Sequence, residues 1–244
     1  MNTAQRFALA ARLVFVLPVI ITLMPDPLSR TPPPRGRTRA ALMQAALEMV
    51  ASESNFSALS LRRIARHAGV VPTAFYRHFR DMDDLGITLV DETFAELRAV
   101  LAGVDLPSLS IDGLIHHCIG LFAFHVCERR LLFQFLVRER YAGSAALRDA
   151  IQTNLAALNG QLTHDLSQLE AYSAVDNTDL ALVAELVVNT VIATAERILD
   201  VARADAPVDT VVNDAERQLR LIFLGLSQWQ SRPQTGYSTG DGAA

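Results

Sequence analysis

The side chains best suited to bind phosphate and to read DNA bases lie close together, between Ser60 and Phe79. Arginine forks onto guanine or phosphate oxygens, the methyl groups of threonine and alanine contact thymine, and tyrosine and histidine donate to phosphate oxygens. These residue types predict contacts with a DNA groove. The candidates are Arg62 and Arg77 for bases or phosphates, Thr73 and Ala74 for base methyl groups, and Tyr76 and His78 for phosphates. Arg63 is a further candidate for DNA contact.

A short amphipathic helix would carry Arg62 and Arg63. Apolar residues recur at the helical spacing i, i+3, i+4 and i+7, while cationic residues occupy the other side. Ser60 is a typical N-cap, and Gly69 stands where the chain must leave the helix, because glycine adopts the left-handed exit without a Cβ penalty. The apolar positions are Leu61, Ile64, Ala65 and Ala68, and the cationic ones are Arg62, Arg63, Arg66 and His67.

A second helix would present the remaining candidates. Pro72 has the fixed φ angle suited to a first helical turn, and Phe75 and Phe79, four residues apart, would anchor this helix to the first. The other side chains of this helix then face outward: Thr73, Ala74, Tyr76, Arg77 and His78. The two helices predict a helix-turn-helix, although the pattern also fits an amphipathic hairpin with a solvated basic face.

The charge of the chain is distributed unevenly. Its formal net charge is -4 over 244 residues, yet residues 35–80 carry eight arginines against two glutamates, a net charge of +6. Residues 81–244 carry 11 basic and 23 acidic groups. This asymmetry predicts that DNA binds one small module and is repelled by the rest. With 50% apolar and 20% charged residues, the composition indicates a globular fold.

The segment from Leu59 to Leu85, LSLRRIARHAGVVPTAFYRHFRDMDDL, resembles the DNA-binding domain of the TetR family of bacterial regulators. The similarity lies in the GV-x-P-x-x-x-Y-x-x-F core and in the acidic start of the next helix. With GITLVDE at Gly86 to Glu92, the chain is most similar to the fatty-acid repressors of the FabR and DesT kind. Two further segments carry this narrower likeness: LLFQFLVRERYAGSAALRDAI at 131–151 and QLRLIFLGLSQWQSR at 218–232.

This resemblance implies a homodimer that represses genes of fatty-acid metabolism, including unsaturated fatty acids, and that senses a long-chain acyl-CoA or a similar acyl thioester. It also implies operator DNA as the partner and the cytoplasm as the location. Two alternatives stay open. One is a TetR-type regulator of another apolar effector, such as an antibiotic; the other is a membrane-associated or acyl-binding helical module that does not bind DNA.

Helical periodicity extends over the rest of the chain, and strand alternation does not persist. We therefore expect an all-α protein of about nine helices, with a three-helix headpiece at 35–80 and a ligand-binding and dimerisation domain at 81–232. Residues 233–244 are expected to be a disordered tail. The predicted helices are 38–52, 61–68, 72–79, 81–102, 110–127, 130–140, 144–169, 178–203 and 209–230, with a break at Gly103 and Pro107.

Residues 1–34 are interpreted as an N-terminal extension. Leu13 to Pro25 is apolar, but it is shorter than the ~20 residues of a spanning helix and lacks a clear cleavage pattern. We expect an over-extended translation start with Met24 as the initiator; a membrane anchor and a flexible extension are the alternatives. Pro32 to Arg39 would then form a non-helical arm, in which Arg37 and Arg39 reach the minor groove or belong to a disordered basic leader.

Enzyme chemistry finds no support in the sequence. Phosphate-binding and nucleophile-elbow motifs are missing, and His117 and His125 lie eight residues apart, which is too far for a typical helical metal pair. We expect no catalytic residue, no metal and no required cofactor. Cys118 and Cys127 are expected to be buried, unpaired thiols on opposite sides of one helix, which fits a reducing cytosol.

The candidates for effector binding lie between residues 122 and 140. Phe122, Phe124 and Phe133, with Phe135 and Leu136, could line an acyl tunnel, although core packing is the default role of such residues. The charged cluster Arg138, Glu139 and Arg140 has three interpretations. It is a solvated helix end, a link between the ligand domain and the headpiece, or a site for the anionic end of a ligand.

Overall fold

Nine α-helices and two short 3-10 turns build the described part of the chain. The computed structural model describes residues 34–53, 55–101, 111–204 and 206–231, and none of these is in a β-strand. The all-α prediction is confirmed. The helices are α1 (Pro34–Glu53), α2 (Leu61–His67), α3 (Pro72–Phe75), α4 (Met82–Leu101), α5 (Ile111–Glu128), α6 (Arg130–Ala142), α7 (Ala145–Ser167), α8 (Asn177–Arg203) and α9 (Asp209–Gln228); the 3-10 turns are Phe56–Ala58 and Glu170–Tyr172.

The headpiece consists of α1, α2 and α3, which pack on one another. One face of α1 is buried and carries apolar residues at helical spacing: Leu42, Ala45, Ala46 and Met49. Ile64 of α2 and Phe75 of α3 are both 0% exposed. The headpiece core therefore forms where the apolar periodicity predicts it.

The start of α1 corrects a prediction. The prolines at 32–34 were expected to keep the chain non-helical up to about residue 38, but α1 begins at Pro34. Proline is tolerated in a first helical turn, because the N–H that it lacks has no partner there. Arg37 and Arg39 therefore lie on a helix and not on an extended arm. Residues 1–33 lie outside the described residues.

Helix α4 leads from the headpiece into the second domain, and two aspartates organise its start. The carboxylate of Asp81 accepts from the backbone N–H of Asp84 at 2.8 Å, an N-cap contact at the acidic start of the helix. The carboxylate of Asp84 in turn accepts from the backbone N–H of Arg80 at 2.8 Å, and this bond is the main cause that lowers the pKa of Asp84. The predicted break at Gly103 and Pro107 lies outside the described residues.

Helices α5 to α9 form the second domain, and each begins and ends within two residues of its predicted bounds. α7 packs on α4 and α8, and α9 packs on α5 and α8. One apolar core runs from the headpiece through α4 to α9. A second, smaller cluster of buried side chains joins α5, α8 and α9 and consists of Phe122, Ala123, Val126, Ala195, Ile198, Leu199 and Val211.

The two cysteines of α5 differ in exposure. Cys118 is buried, and burial raises the pKa of its thiol, whereas Cys127 is exposed. The prediction of two buried thiols is wrong for Cys127. Nine residues on a helix correspond to two and a half turns, so one thiol faces the core and the other faces away. Both cysteines are free.

Candidate nucleic-acid interface

The turn between α2 and α3 is built by local hydrogen bonds. Ser60 caps α2, and its Oγ accepts from the backbone N–H of Arg63 at 3.4 Å. Gly69 has φ +68°, the left-handed conformation expected from its place in the sequence. The N–H of Gly69 bonds to the carbonyl of Arg66 at 3.1 Å, and the N–H of Val70 bonds to that of Ala65 at 2.9 Å. These two bonds satisfy the last carbonyls of α2 and set the direction in which α3 begins.

Helix α3 is anchored by the two predicted phenylalanines. Phe75 and Phe79 are 0% and 2% exposed, and their ring centroids lie 5.5 Å apart. Pro72 occupies the first turn, after an extended Val71. The helix ends at Phe75 and continues as turns, with the N–H groups of His78 and Phe79 bonded to the carbonyl of Phe75. It is therefore shorter than predicted but holds the same side chains.

Most of the predicted DNA contacts are on the surface of this unit. Arg62, Arg63, Thr73 and Arg77 are exposed, and Tyr76 is 64% exposed. Ala74 and His78 are half-buried. Arg66, Val71 and Arg80, which were not among the candidates, are also exposed. Val71 could have been found from its place directly before Pro72, because the residue before a first-turn proline stays outside the helix.

The two arginines of α1 have different surroundings. Arg37 is exposed. The guanidinium of Arg39 forms an ion pair with Glu92 of α4 and lies 5.6 Å from the ring centroid of Phe79. Arg39 therefore joins α1 to α4 and to the recognition unit, by which we mean residues 60–79. Its prediction as a residue of a non-helical arm is wrong.

A second polar contact joins α1 to α2. The carboxylate of Glu48 accepts from the side-chain amide of Gln44 at 2.9 Å and lies 2.8 Å from Nε2 of His67. These two hydrogen bonds, Gln44 first and His67 second, lower the pKa of Glu48. One of the two acidic groups in the cationic module is thus engaged within the headpiece, which leaves the exposed arginines to dominate its surface field.

The candidate effector phenylalanines separate into two groups. Phe122 is 2% exposed, Phe133 is half-buried, and their rings meet edge to face with centroids 6.0 Å apart. Phe124 is 63% exposed, so its prediction as a tunnel residue is wrong. Two residues along a helix correspond to a rotation of about 200°, which places Phe124 on the face opposite Phe122.

The cluster at 138–140 contacts the headpiece at two points. Nη1 of Arg138 donates to the carbonyl of Val50 in α1 at 3.0 Å. The backbone N–H of Phe56 donates to Oε1 of Glu139 at 3.1 Å, and Glu139 is 0% exposed. The guanidinium of Arg140 lies 5.3 Å from the ring centroid of Tyr141. A solvated helix end is therefore wrong for Glu139, and the geometry favours the link to the headpiece.

Two further observations bear on partners and metals. The surfaces of α8 and α9 carry leucines that are at least half exposed: Leu182, Leu186, Leu221 and Leu224. Such an apolar surface is typical of a protein–protein contact. In the described part of the chain, no group of three or more His, Cys, Asp or Glu side chains could hold a metal ion.

Two family models match the chain. The model described as "Bacterial regulatory proteins, tetR family" matches residues 42–86, and the model described as "Tetracyclin repressor-like, C-terminal domain" matches residues 111–225. The first match runs from the middle of α1 to the start of α4, and the second covers α5 to most of α9.

Solved structures with the same fold include three bacterial proteins. The fatty acid degradation regulator FadR from Bacillus halodurans is 14% identical with a TM-score of 0.55, over 78% of this chain and 96% of that one. A TetR-like transcriptional regulator from Rhodococcus sp. RHA1 is 20% identical with a TM-score of 0.56, over 82% and 100%. A further transcriptional regulator from Rhodococcus is 21% identical with a TM-score of 0.56, over 79% and 97%. At these identities the likeness concerns the fold.

Proposed function

The chain belongs to the TetR family of DNA-binding transcriptional regulators, and from this premise we propose that it represses genes of fatty-acid metabolism in response to a long-chain acyl-CoA or a similar acyl thioester. Members of this family bind operator DNA as homodimers and respond to small molecules. What is proposed here is the sign of regulation, the target genes, the effector class and the residues that make the contacts.

The observation that carries the DNA-binding part is the exposed recognition unit. Tyr76 and Arg77 are exposed in the turns that follow α3, and Arg62 is exposed on α2, within the strongly cationic module of an acidic chain. We propose that Arg77 reads a base, that Tyr76 and His78 bind phosphates, and that Thr73 and Ala74 contact base methyl groups. Arg62, Arg63 and Arg37 then supply base or phosphate contacts at the edges of the unit.

A homodimer would place two DNA-binding headpieces in one molecule. The exposed leucines of α8 and α9 offer an apolar surface for a second copy of the chain, in keeping with the family's homodimeric assembly. Two recognition units related by a two-fold axis would read half-sites about 34 Å apart, one turn of DNA. The expected operator is therefore a pseudo-palindrome.

The effector part of the proposal rests on the likeness of three segments to fatty-acid repressors. The apolar cluster around Phe122 and Phe133 is the candidate site for an acyl chain, because apolar ligands need apolar walls. An effector changes DNA affinity only through its different affinities for the two conformations of the dimer. Another apolar molecule, such as an antibiotic, is the second candidate.

The test is selection of duplexes from a random pool, followed by fluorescence anisotropy with the selected DNA. With about six phosphates neutralised, log K should fall with log salt at a slope near -5. Oleoyl-CoA should then change the affinity, while coenzyme A alone should not. Affinity that does not depend on salt would contradict the docking, and indifference to oleoyl-CoA would contradict the acyl effector. Mass spectrometry of a co-purified ligand would identify another effector.

The non-DNA alternative has one structural feature in its favour. By length and apolar composition, α8 could cross a membrane, although the same helix packs on α7 and α9 and carries the proposed dimer surface. We propose a cytoplasmic location, where operator DNA is accessible. Cell fractionation combined with a filter-binding assay decides between the two, because a membrane module would sediment with membranes and retain no DNA.

A further inference from the structure

The 3-10 turn between α1 and α2 carries Phe56, whose ring packs into the second domain. Phe56 is 2% exposed, and its ring meets that of Phe135 in α6 edge to face, with centroids 5.4 Å apart. The ring also lies against α4 at Gly86, where an added Cβ would come within 2.9 Å of Phe56 and 3.0 Å of Leu147 in α7. Gly86, Phe135 and Leu147 thus form a socket for a headpiece residue.

Glu139 closes this socket with a polar contact. One carboxyl oxygen accepts from the backbone N–H of Phe56 at 3.1 Å, and the other is buried without a partner among the described residues. Burial raises the pKa of this carboxyl, opposed by the Phe56 N–H and by the charge of Arg138. An apolar side chain of the same size would avoid this desolvation cost, so packing alone does not account for a carboxyl here.

The preceding residue holds the adjacent part of the headpiece. Arg138 donates to the carbonyl of Val50, which lies in the last turn of α1, where carbonyls lack partners within the helix. Arg138 and Glu139 of α6 therefore bond to the end of α1 and to the 3-10 turn that follows it. Four residues after Phe56, Ser60 caps the first helix of the recognition unit.

We propose that Glu139 is a positioning residue that fixes the headpiece on the effector domain, by holding the Phe56 backbone while the Phe56 ring fills its socket. The effect on DNA rests on the proposed function, but the contact itself does not. Because a hydrogen bond weakens steeply once its geometry is lost, a shift of about 1 Å in the last turn of α6 would release the turn that leads into α2. The headpieces would then sample more orientations, and operator affinity would fall.

Two variants whose side chains have about the length of glutamate distinguish the effect of the hydrogen bond from the effect of packing. Glu139→Gln keeps an oxygen that accepts from the Phe56 N–H, whereas Glu139→Met fills the same space without an acceptor. Glu170→Met serves as the control, because it removes the same charge at an exposed position in the turn before α8. Hydrogen–deuterium exchange follows the Phe56 amide, and anisotropy follows binding to the duplex selected by the parent protein.

We expect the Phe56 amide of Glu139→Met to exchange at least about tenfold faster than in the parent, with unchanged exchange in α7 to α9. Operator affinity should fall about fivefold, the loss that one hydrogen bond of ~1 kcal/mol predicts. Glu139→Gln should restore both values to within about twofold of the parent, and Glu170→Met should change neither.

Parent-like exchange and affinity in Glu139→Met would overturn the proposal, as would equal losses in Glu139→Gln and Glu139→Met. If neither variant folds, exchange in the parent protein tests the contact. Its Phe56 amide must exchange more slowly than that of Ser57, an exposed residue whose N–H bonds to Oδ1 of Asn55. Equal exchange of the two amides contradicts the contact. If the parent protein selects no DNA, the proposed function is refuted. The exchange experiment would still test whether Glu139 holds the Phe56 backbone.

Discussion

The recognition unit and the α5–α6 region place their functional groups in opposite environments. In the recognition unit most of the candidate groups face outward, as Tyr76 does at 64% exposure, and the fully buried residues hold the helices together. In α5 and α6 the residues with candidate roles, Phe122 and Glu139, are 2% and 0% exposed. A surface that reads DNA can be built from neighbours in the sequence. A contact that couples two domains must be built from residues far apart, and Phe56 and Glu139 are separated by 83 positions.

This difference predicts different consequences of substitution. Substitutions of the outward side chains of the recognition unit should change DNA affinity and leave the free energy of unfolding nearly unchanged, because surface substitutions cost little stability. Inward side chains of α5 and α6 should change stability first. Four experiments test this contrast.

The largest expected effects are on stability, at buried aromatic residues of both regions. Phe75→Ala in α3 and Phe122→Ala in α5 should each lower the free energy of unfolding by ~3–5 kcal/mol, because each leaves a cavity in a packed core. Phe124→Ala is the matched control on α5 and should cost less than ~0.5 kcal/mol, because its ring is mostly exposed. Urea unfolding measures all three.

A small cost at Phe122 would contradict the packed-core reading of the α5 cluster. It would indicate that the ring lines an open cavity, as the acyl-tunnel interpretation requires. A large cost at Phe124 would instead show that a second copy of the chain covers this face.

The next effect concerns DNA affinity, at two adjacent residues of the recognition unit. Arg77→Ala should weaken operator binding by ~1–3 kcal/mol and relax the preference at one base position. Tyr76→Phe should weaken all operator variants alike, because it removes only a phosphate donor. Unfolding in urea should be unchanged for both. If Arg77→Ala keeps the parent's preference among operator variants, Arg77 does not read a base.

The same contrast explains which features could be predicted from the sequence. The Ser60 cap, the left-handed Gly69 and the Phe75–Phe79 pair depend on neighbours within one or two turns, and all three are confirmed. Helix bounds in the second domain were equally predictable, because periodicity and turn residues set them locally.

The features that could not be predicted depend on packing between distant segments. α5 is apolar on most of its surface, so its sequence did not reveal that Phe122 faces the core and Phe124 faces away. The burial of Glu139 is visible only once the Phe56 turn meets α6. The start of α1 at Pro34 is a different case. Proline is tolerated in the first turn of a helix and disrupts its interior, so the three prolines alone did not show where the helix begins.

A smaller effect on stability is expected at two glycines, one with a left-handed backbone and one within a helix. Gly69→Ala should cost ~1–2 kcal/mol although nothing lies within 4 Å of the added methyl group, because alanine is strained at φ +68°. Gly120→Ala in α5 also meets open space but has an ordinary helical backbone, so it should gain about 0.5–1 kcal/mol from helix propensity. Urea unfolding measures the change in the free energy of unfolding for both variants. A neutral Gly69→Ala would show that the turn relaxes to another conformation, and operator affinity should then fall.

The smallest effect belongs to the polar contact between α1 and α2. The pKa of Glu48 is lowered by its bonds to Gln44 and His67, so the unfolded chain binds the Glu48 proton more readily than the folded one. The stabilisation is therefore present above about pH 4.5, the ordinary range of a glutamate, and is lost as the pH falls below it. Both side chains are nearly half exposed, at 44% and 47%, so solvent screening limits the gain to less than ~1 kcal/mol. In urea, the parent should exceed Glu48→Gln in stability at pH 6, and the difference should shrink as the pH is lowered towards 3, with Glu170→Gln as the control at an exposed position. An equal difference at both pH values would mean that Glu48 acts through packing, and the α1–α2 contact would then resemble the buried contacts of α6 more than the solvated surface of the recognition unit.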